Sequence, residues 1–232
     1  LITGRAELVM MMGEDSLFLH ADTLFANSDS LRGRRILARR NVRFFKHDMQ
    51  GVCDTMTYSD RDSIVTLVGA PFLWSGRDQI SGRTITITLR DGHAHLLHVL
   101  RDALLANNVD STETDFATAY FDQVTGTNIT GYFANDELVR IETDGNSRTV
   151  SFAMEKNTDG IEEVTTMNRA DCSRIVVGLD SGKVSTISFL TKPDAVMYPL
   201  AKAPVEEMRM KGFVWNAAAR PTDRNSIFAP AE

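Results

Sequence analysis

The sequence predicts an all-β protein, an elongated and repetitive antiparallel β-jelly roll, and three observations predict it. Thr84 to Arg90 alternates Ile85, Ile87 and Leu89 with Thr84, Thr86 and Thr88. A period of two with β-branched residues on both sides marks a strand with one buried face. The same phrase of strand, tight turn and strand then recurs along the chain. A small residue also stands three places before the first apolar position of each unit, as Ala21 before Leu24, Cys53 before Met56, Gly82 before Ile85, Gly126 before Ile129 and Cys172 before Ile175. The segments QGVCDTM, DQISGRTI, DQVTGTNI and RADCSRI read as versions of one corner, where a small side chain lets the backbone bend close to a neighbour.

Each element follows from these units. After Thr84–Arg90, Asp91-Gly92 supplies a turn and His93 to Leu100 resumes in apolar character. Ile129, Gly131 and Phe133 precede a turn at Ala134-Asn135-Asp136-Glu137. Ile175, Val177 and Leu179 precede one at Asp180-Ser181-Gly182-Lys183. The anchors Leu24, Met56, Ile85, Ile129 and Ile175 are 32, 29, 44 and 46 residues apart, so the loops lengthen toward the C-terminus. Further strands are expected where Ile36, Ala38, Val42 and Phe44 share a parity, at Val150, Phe152 and Met154, and on either side of Gly69-Ala70-Pro71. About ten to fourteen strands result, each pairing with its neighbour in sequence. Leu96 to Asn107 admits two readings, a strand or an amphipathic helix carrying Leu97, Leu100, Leu104 and Leu105. Pro204 to Met208, with acids in the first turn and Gly212 beyond, predicts a short helix. The roll is thus expected over residues 1–200, with a division near 108–120 left open, and 201–232 as an extension that ends in a surface-running tail.

Composition narrows the function. The 232 residues are 43% hydrophobic, enough for a sizeable core. With 31 acids against 25 Lys and Arg, a formal charge of -6 disfavours a general nucleic-acid binder. No apolar run approaches the roughly 20 residues that a membrane-crossing helix needs. Because the chain opens in LITGRAEL, without methionine, a signal peptide removed upstream is compatible with it. Two cysteines are too few for a disulfide scaffold. Cys53 and Cys172 stand at equivalent corners several units apart and are expected to remain unbridged.

No nucleophile elbow, zinc-protease motif or phosphate loop occurs. His93 and His95 would share one strand face with His98 pointing away, which falls short of a metal site, so neither a metal nor another cofactor is expected. Asp22, Asp54, Asp78, Asp122 and Asp171 recur near the corners. They are expected to make local corner hydrogen bonds rather than to form a catalytic carboxylate pair.

Two features could bind a ligand. Arg32, Arg34, Arg35, Arg39, Arg40, Arg43 and Lys46 crowd into fifteen residues. Arg39 and Arg43 share one strand face, while Arg40 lies on the face of Ala38, Val42 and Phe44. Arg39, Arg40 and Arg43 are therefore candidates for pairing with lipid phosphates or carboxylates, with a merely solvated basic face as the alternative. Bulky apolar residues in Leu8 to Met12 and Phe72 to Trp74 could line an acyl groove or fill an ordinary core.

The phrases ADTLFA, ARRNVRFF, CDTMTYS, LVGAPFLW and ISGRTITI, in this order, resemble the OstA-like family. That family includes the periplasmic lipopolysaccharide-transport bridge protein and the N-terminal domain of the outer-membrane lipopolysaccharide assembly protein. The later DQVTGTNITGYFANDELVRI and RADCSRIVVGLDSGKVSTISFLTKPDAVMYPL are similar to versions from Bacteroidetes-type bacteria. The resemblance covers about residues 14 to 228. It implies a jelly roll of V-shaped cross-section whose inner apolar faces hold acyl chains, and a periplasmic carrier that neither uses a cofactor nor catalyses a reaction. The implied partners are lipopolysaccharide or a related glycolipid, other lipopolysaccharide-transport proteins through β-edge pairing, and further copies of the chain head to tail, with no nucleic acid. Leu24, Val42, Phe44, Met56, Leu67, Phe72, Ile85, Ile87, Ile129 and Ile175 match the family's inward positions and become the expected lipid-binding residues. The longer spacing after Ile85 and the extension from Met197 to Phe228 depart from the short bridge protein. The alternative reading is an envelope interaction module that uses the same β-edges without lipid, and behind it an enzyme on an unusual β scaffold.

Overall fold

The computed structural model describes residues 1–12, 15–29, 33–110, 115–135, 137–180 and 183–229. The expectations for Arg32, Asp136 and Ser181-Gly182 lie outside them. The strands are β1 (Ile2–Met12), β2 (Asp15–Asp29), β3 (Gly33–Lys46), β4 (Met49–Ser59), β5 (Ile64–Val68), β6 (Phe72–Ser75) and β7 (Asp78–Ser81). They continue as β8 (Thr84–Arg90), β9 (His93–Asn108), β10 (Phe121–Ala134), β11 (Glu137–Lys156), β12 (Glu162–Asp180), β13 (Lys183–Leu190) and β14 (Asp194–Pro199). All pairings are antiparallel, in the order β1-β2-β3-β4-β5-β8-β9-β10-β11-β12-β13, with β6 and β7 linking β4 to β9 and β14 beside β12. The all-β antiparallel jelly roll is thereby established.

The long strands are longer than one layer can use, and each bends once. Pairing register breaks between His20 and Thr23, Arg39 and Val42, Gly126 and Asn128, and Asp144 and Ser147. On one side of the bends lies a first layer, containing the N-terminal half of β2, the C-terminal half of β3, then β6, β7, the C-terminal half of β9 and β14. On the other side lies a second layer, containing the remaining halves with β5, β8 and β13. The layers meet along the line of bends, and hairpin turns form the opposite margin.

The small-residue corners occupy every second bend. A Cβ on Gly82 would lie 2.5 Å from Val99 and 3.2 Å from the Arg101 carbonyl. At the equivalent corners of β4 and β12 the Cys53 and Cys172 thiols each donate to the carbonyl two residues on in their own strand, Thr55 at 3.4 Å and Arg174 at 3.1 Å. Both are free and buried.

The intervening bends are left-handed pairs that the sequence reading did not anticipate. Arg40-Asn41, Gly69-Ala70, Arg101-Asp102, Gly145-Asn146 and Thr191-Lys192 have φ between 49° and 80°, a region that Gly, Asn and Asp tolerate best. Each pair touches the preceding small-residue corner. Asn41 donates to Asp22 at 3.1 Å, and the Asp54 N–H donates to the Gly69 carbonyl at 3.1 Å. The Arg83 N–H donates to the Arg101 carbonyl at 3.1 Å, the Thr127 hydroxyl to Gly145 at 3.1 Å, and the Ser173 N–H to Thr191 at 3.4 Å.

Residues 96–107 are strand. Leu97 and Val99 enter the core while Leu100 points out, and the Arg101-Asp102 bend shifts the alternation that gave the leucines their helical spacing. Among the described residues beyond β14 the helical elements are single 3₁₀ turns, Val205–Glu207 among them where the short helix was expected.

Candidate functional site: the apolar interior and the face beneath the tail

The two layers enclose one continuous apolar cluster running from Ala6 in β1 to Val177 in β12. Leu24, Val42, Phe44, Met56, Leu67, Ile85, Ile87, Ile129 and Ile175 all lie in it, none more than 2% exposed. Phe72 does not. In a strand, neighbouring side chains point to opposite faces. Leu73 takes the inward place in β6, and Phe72 is half-buried on the other face, stacked on Trp74 at 6.0 Å. At the hairpin margin Met12, Met49, Leu73, Leu89, Phe133 and Leu138 border a cleft with about 50 Å³ of free volume. Pockets for small molecules hold roughly 300–1,000 Å³. In this state the interior is filled by its own side chains.

The corner acids make separate local bonds. Asp22 accepts from Asn41, Asp54 from the Thr55 hydroxyl at 2.8 Å, and Asp171 pairs with Arg148 and Arg169. Asp78 and Asp122 come nearest to a carboxylate pair, flanking Asn107 across β7, β9 and β10. Burial raises both above the ordinary range, Asp122 to about 6. The Asn107 amide donates to Asp78 at 2.7 Å and the Phe152 N–H to Asp122 at 2.8 Å. Asn107 thus stands between the carboxyls, in the place that a glycosidase leaves open for substrate and water. His98 lies 3.4 Å from the Thr130 hydroxyl. Among the described residues no three His, Cys, Asp or Glu side chains gather as metal ligands.

The basic candidates are dispersed. The sequence reading put Arg39 and Arg43 on one strand face, but the left-handed Arg40-Asn41 pair interrupts β3 and sends them to different layers. Arg39 and Arg40 are exposed at the bend. Arg43 is 8% exposed and donates to the Ala219 carbonyl at 2.8 Å, so the tail covers it.

That tail, residues 200–229, runs back across the outer face of the first layer, against the order of the strands. Its partners are residues that stand three places before the small-residue corners. Gln123 donates to the Met208 carbonyl and accepts from the Met210 N–H, both at 2.9 Å. Gln79 does the same with the Val214 carbonyl and the Asn216 N–H, both at 2.7 Å. Gln50 accepts from Arg220 at 2.8 Å, Arg169 pairs with Glu207 at 2.7 Å, and the Arg224 guanidinium lies 4.9 Å from the Phe18 ring. Aromatic contacts add to these, with Phe213 and Trp215 at 5.1 and 4.9 Å from Phe121, and Phe228 at 4.9 Å from His20. Arg224 also pairs with Glu7 at 2.7 Å, holding that carboxyl below its ordinary range.

The sequence reading missed these glutamines. Their signal was a recurring Gln within the phrases DQISG and DQVTG, on the strand face opposite the anchors, where a polar residue ordinarily meets solvent.

No family model matches the sequence, and no curated protein matches it. Among solved structures the chain is similar to LptH, the LptA-homologous periplasmic component of the lipopolysaccharide transport device from Pseudomonas aeruginosa. The identity is 14%, over 65% of this chain and 95% of that one, with a TM-score of 0.46.

Proposed function

We propose that this chain is a non-enzymatic module of glycolipid transport, which takes the acyl chains of lipopolysaccharide or a related glycolipid between its layers in the periplasm and hands them on toward the outer membrane. The observation that carries the reading is the build of the interior. Two layers are joined along one margin by bends, and among the described residues no strand crosses the other margin. Between them the apolar cluster is continuous along the stack. Separating the hairpin margin would expose apolar side chains, and an acyl chain entering there offsets that cost at about 0.8 kcal/mol per buried methylene. The OstA-like phrases of the sequence point the same way. At the ends of the stack β1 pairs only with β2, and β13 and β14 only with β12, among the described residues. These edges suit strand addition by other transport proteins or by a second copy.

A second reading, an envelope interaction module that uses the edges without lipid, is favoured by the 50 Å³ cleft, too small for an acyl chain as it stands. Photocrosslinking separates the two. Benzophenone side chains at Phe133 and Leu138 on the hairpin margin, and at Thr57 on the exposed face of the second layer, are irradiated with purified lipopolysaccharide. Adducts at the margin and none at Thr57 are expected. A folded protein with no adduct at the margin rejects lipid binding and leaves the interaction module.

A further inference from the structure

We propose that the cleft between the line of bends and the arch of the tail binds an anionic saccharide through its phosphate or carboxylate group. This site lies away from the interior and does not depend on the glycolipid reading.

The cleft measures about 940 Å³ and is lined by Arg83, Arg101, Arg148 and Lys211 against one carboxylate, Asp102. This is a concentration of positive charge in a chain whose formal net charge is -6. Arg83 pairs with Asp102 at 2.7 Å and Arg148 pairs with Asp171. Arg101 and Lys211 make no ion pair among the described residues. Two cations are therefore neutralised within the protein and two are left for a ligand. Gly126 and Gly145 form part of the lining, where the backbones run close together, and a Cβ on Gly126 would lie 3.2 Å from the Asp144 carbonyl. A guanidinium offers a planar fork to phosphate or carboxylate, and an ammonium adds a point charge. Thr125, Thr127 and Asn146, also in the lining, supply partners for sugar hydroxyls.

The arch is held in place before any ligand arrives. The Gln123 clamp fixes Met208 and Met210, and the Gln79 clamp fixes Val214 and Asn216; both glutamines are 0% exposed. The segment Lys211-Gly212-Phe213 spans the gap between the clamps. It turns on the left-handed Gly212 at φ 81° and the bond from the Phe213 N–H to the Met210 carbonyl at 3.0 Å. Phe213 anchors it on Phe121 and Phe116. The Lys211 backbone is thereby positioned opposite the bend residues, so that only its side chain has to be ordered upon binding.

Titration calorimetry of the full chain with glucose 1-phosphate, and with glucose as the neutral control, tests the site. A second arm uses phosphatidylcholine vesicles with and without phosphatidic acid, to separate a free phosphorylated sugar from a lipid headgroup as the source of the anion. Binding of glucose 1-phosphate without binding of glucose is expected, and binding of the phosphatidic acid vesicles alone would overturn the saccharide and leave a bare lipid phosphate. Lys211→Ala, on an exposed position, and Arg101→Asn, which keeps a residue that tolerates the left-handed backbone, should each weaken glucose 1-phosphate binding about tenfold. Equal binding of glucose and glucose 1-phosphate, unchanged affinity in both variants, or binding in neither arm would overturn the proposal. None of these results bears on adducts at Phe133, so this site and the lipid interior fail separately.

Discussion

Gly51 faces the interior opposite Phe44 in the β3–β4 pair, and a Cβ there would lie 2.4 Å from the Phe44 ring and 3.0 Å from the Phe72 carbonyl. Phe44 is 1% exposed, so its ring cannot swing into solvent to make room. Gly51→Ala is expected to lower stability by about 1–3 kcal/mol, the usual cost of overpacking a filled core, read as a lower urea midpoint at unchanged slope. Asp122 gives the residue scale a pH signature. Burial raises its folded pKa to about 6, above the roughly 3.9 of an unfolded chain, so the folded state binds the proton more tightly. Its contribution to stability is complete below about pH 4 and is lost as pH rises through 6, on the order of 2–3 kcal/mol in all. Asp171 and Glu142 run the other way. Burial opposes ionisation in both, but Arg148 and Arg169 beside Asp171, and Arg174 and Arg140 beside Glu142, outweigh it and lower the pKa, so their stabilisation fades toward acid. The comparison that isolates Asp122 is therefore wild type against Asp122→Asn, which keeps an oxygen for the Phe152 N–H. The variant should be the more stable protein at pH 8 and lose its advantage by pH 4. An equal difference at both pH values would show that the carboxyl's charge is not the cause.

At the scale of elements, the tail is fixed by its backbone more than by its side chains. Replacing Gln123 with Ala leaves the Met208 carbonyl and the Met210 N–H without partners beneath the tail, a loss of about 2–5 kcal/mol at the usual cost of two stranded groups. Gln50→Ala removes the acceptor of the Arg220 side chain, which can turn to water, and the donor to the Lys46 and His47 carbonyls of the adjacent turn, but strands no backbone group of the tail, so it should loosen the tail less. Urea midpoints, with limited proteolysis of residues 203–216 as the local readout, rank the two; cleavage of the Gln50 variant ahead of the Gln123 variant would contradict the ranking. What the sequence revealed of these elements has a physical limit. Period-two alternation and the small-residue corners are local, so the strands and alternate bends could be read directly. The left-handed pairs were not, because Arg40, Arg101 and Thr191 carry no turn signal of their own and take their backbone from the neighbouring corner. The tail was read as surface-running because it has no periodicity, and nothing local tells a glutamine that meets solvent from one that meets a backbone more than eighty residues away. Arg39 and Arg43 were placed together by a parity that holds only while a strand stays straight.

For the whole molecule, the question is whether so long a stack unfolds as one body. Stacks in which each rung touches only its neighbours can melt from one end, and the sequence left open a division near residues 108–120. Two features oppose division. The apolar cluster passes from β9 into β10 without a gap, through Val99 and Ile129, which lie opposite each other. The tail ties the far end to the near end, from Glu207 on Arg169 to Arg224 on Glu7. We therefore expect a single cooperative transition, and the cysteines report it. Six steps in the strand order separate β4 from β12, which at about 4.8 Å each places Cys53 and Cys172 about 29 Å apart, beyond the reach of a disulfide. Both thiols are buried, and burial pushes Cys53 up to about 12, so neither should react with a thiol reagent while the protein is folded. Pulsed labelling along a urea series, with the modified peptides quantified by mass spectrometry, should give one midpoint for both cysteines. Earlier labelling of Cys172 would mean that the strands after β9 open by themselves and that the chain divides in its middle. Truncation after Ala203 provides the complementary measurement, because removing the tail while keeping the apolar cluster between the layers should pull the two midpoints apart if the tail is what couples the ends.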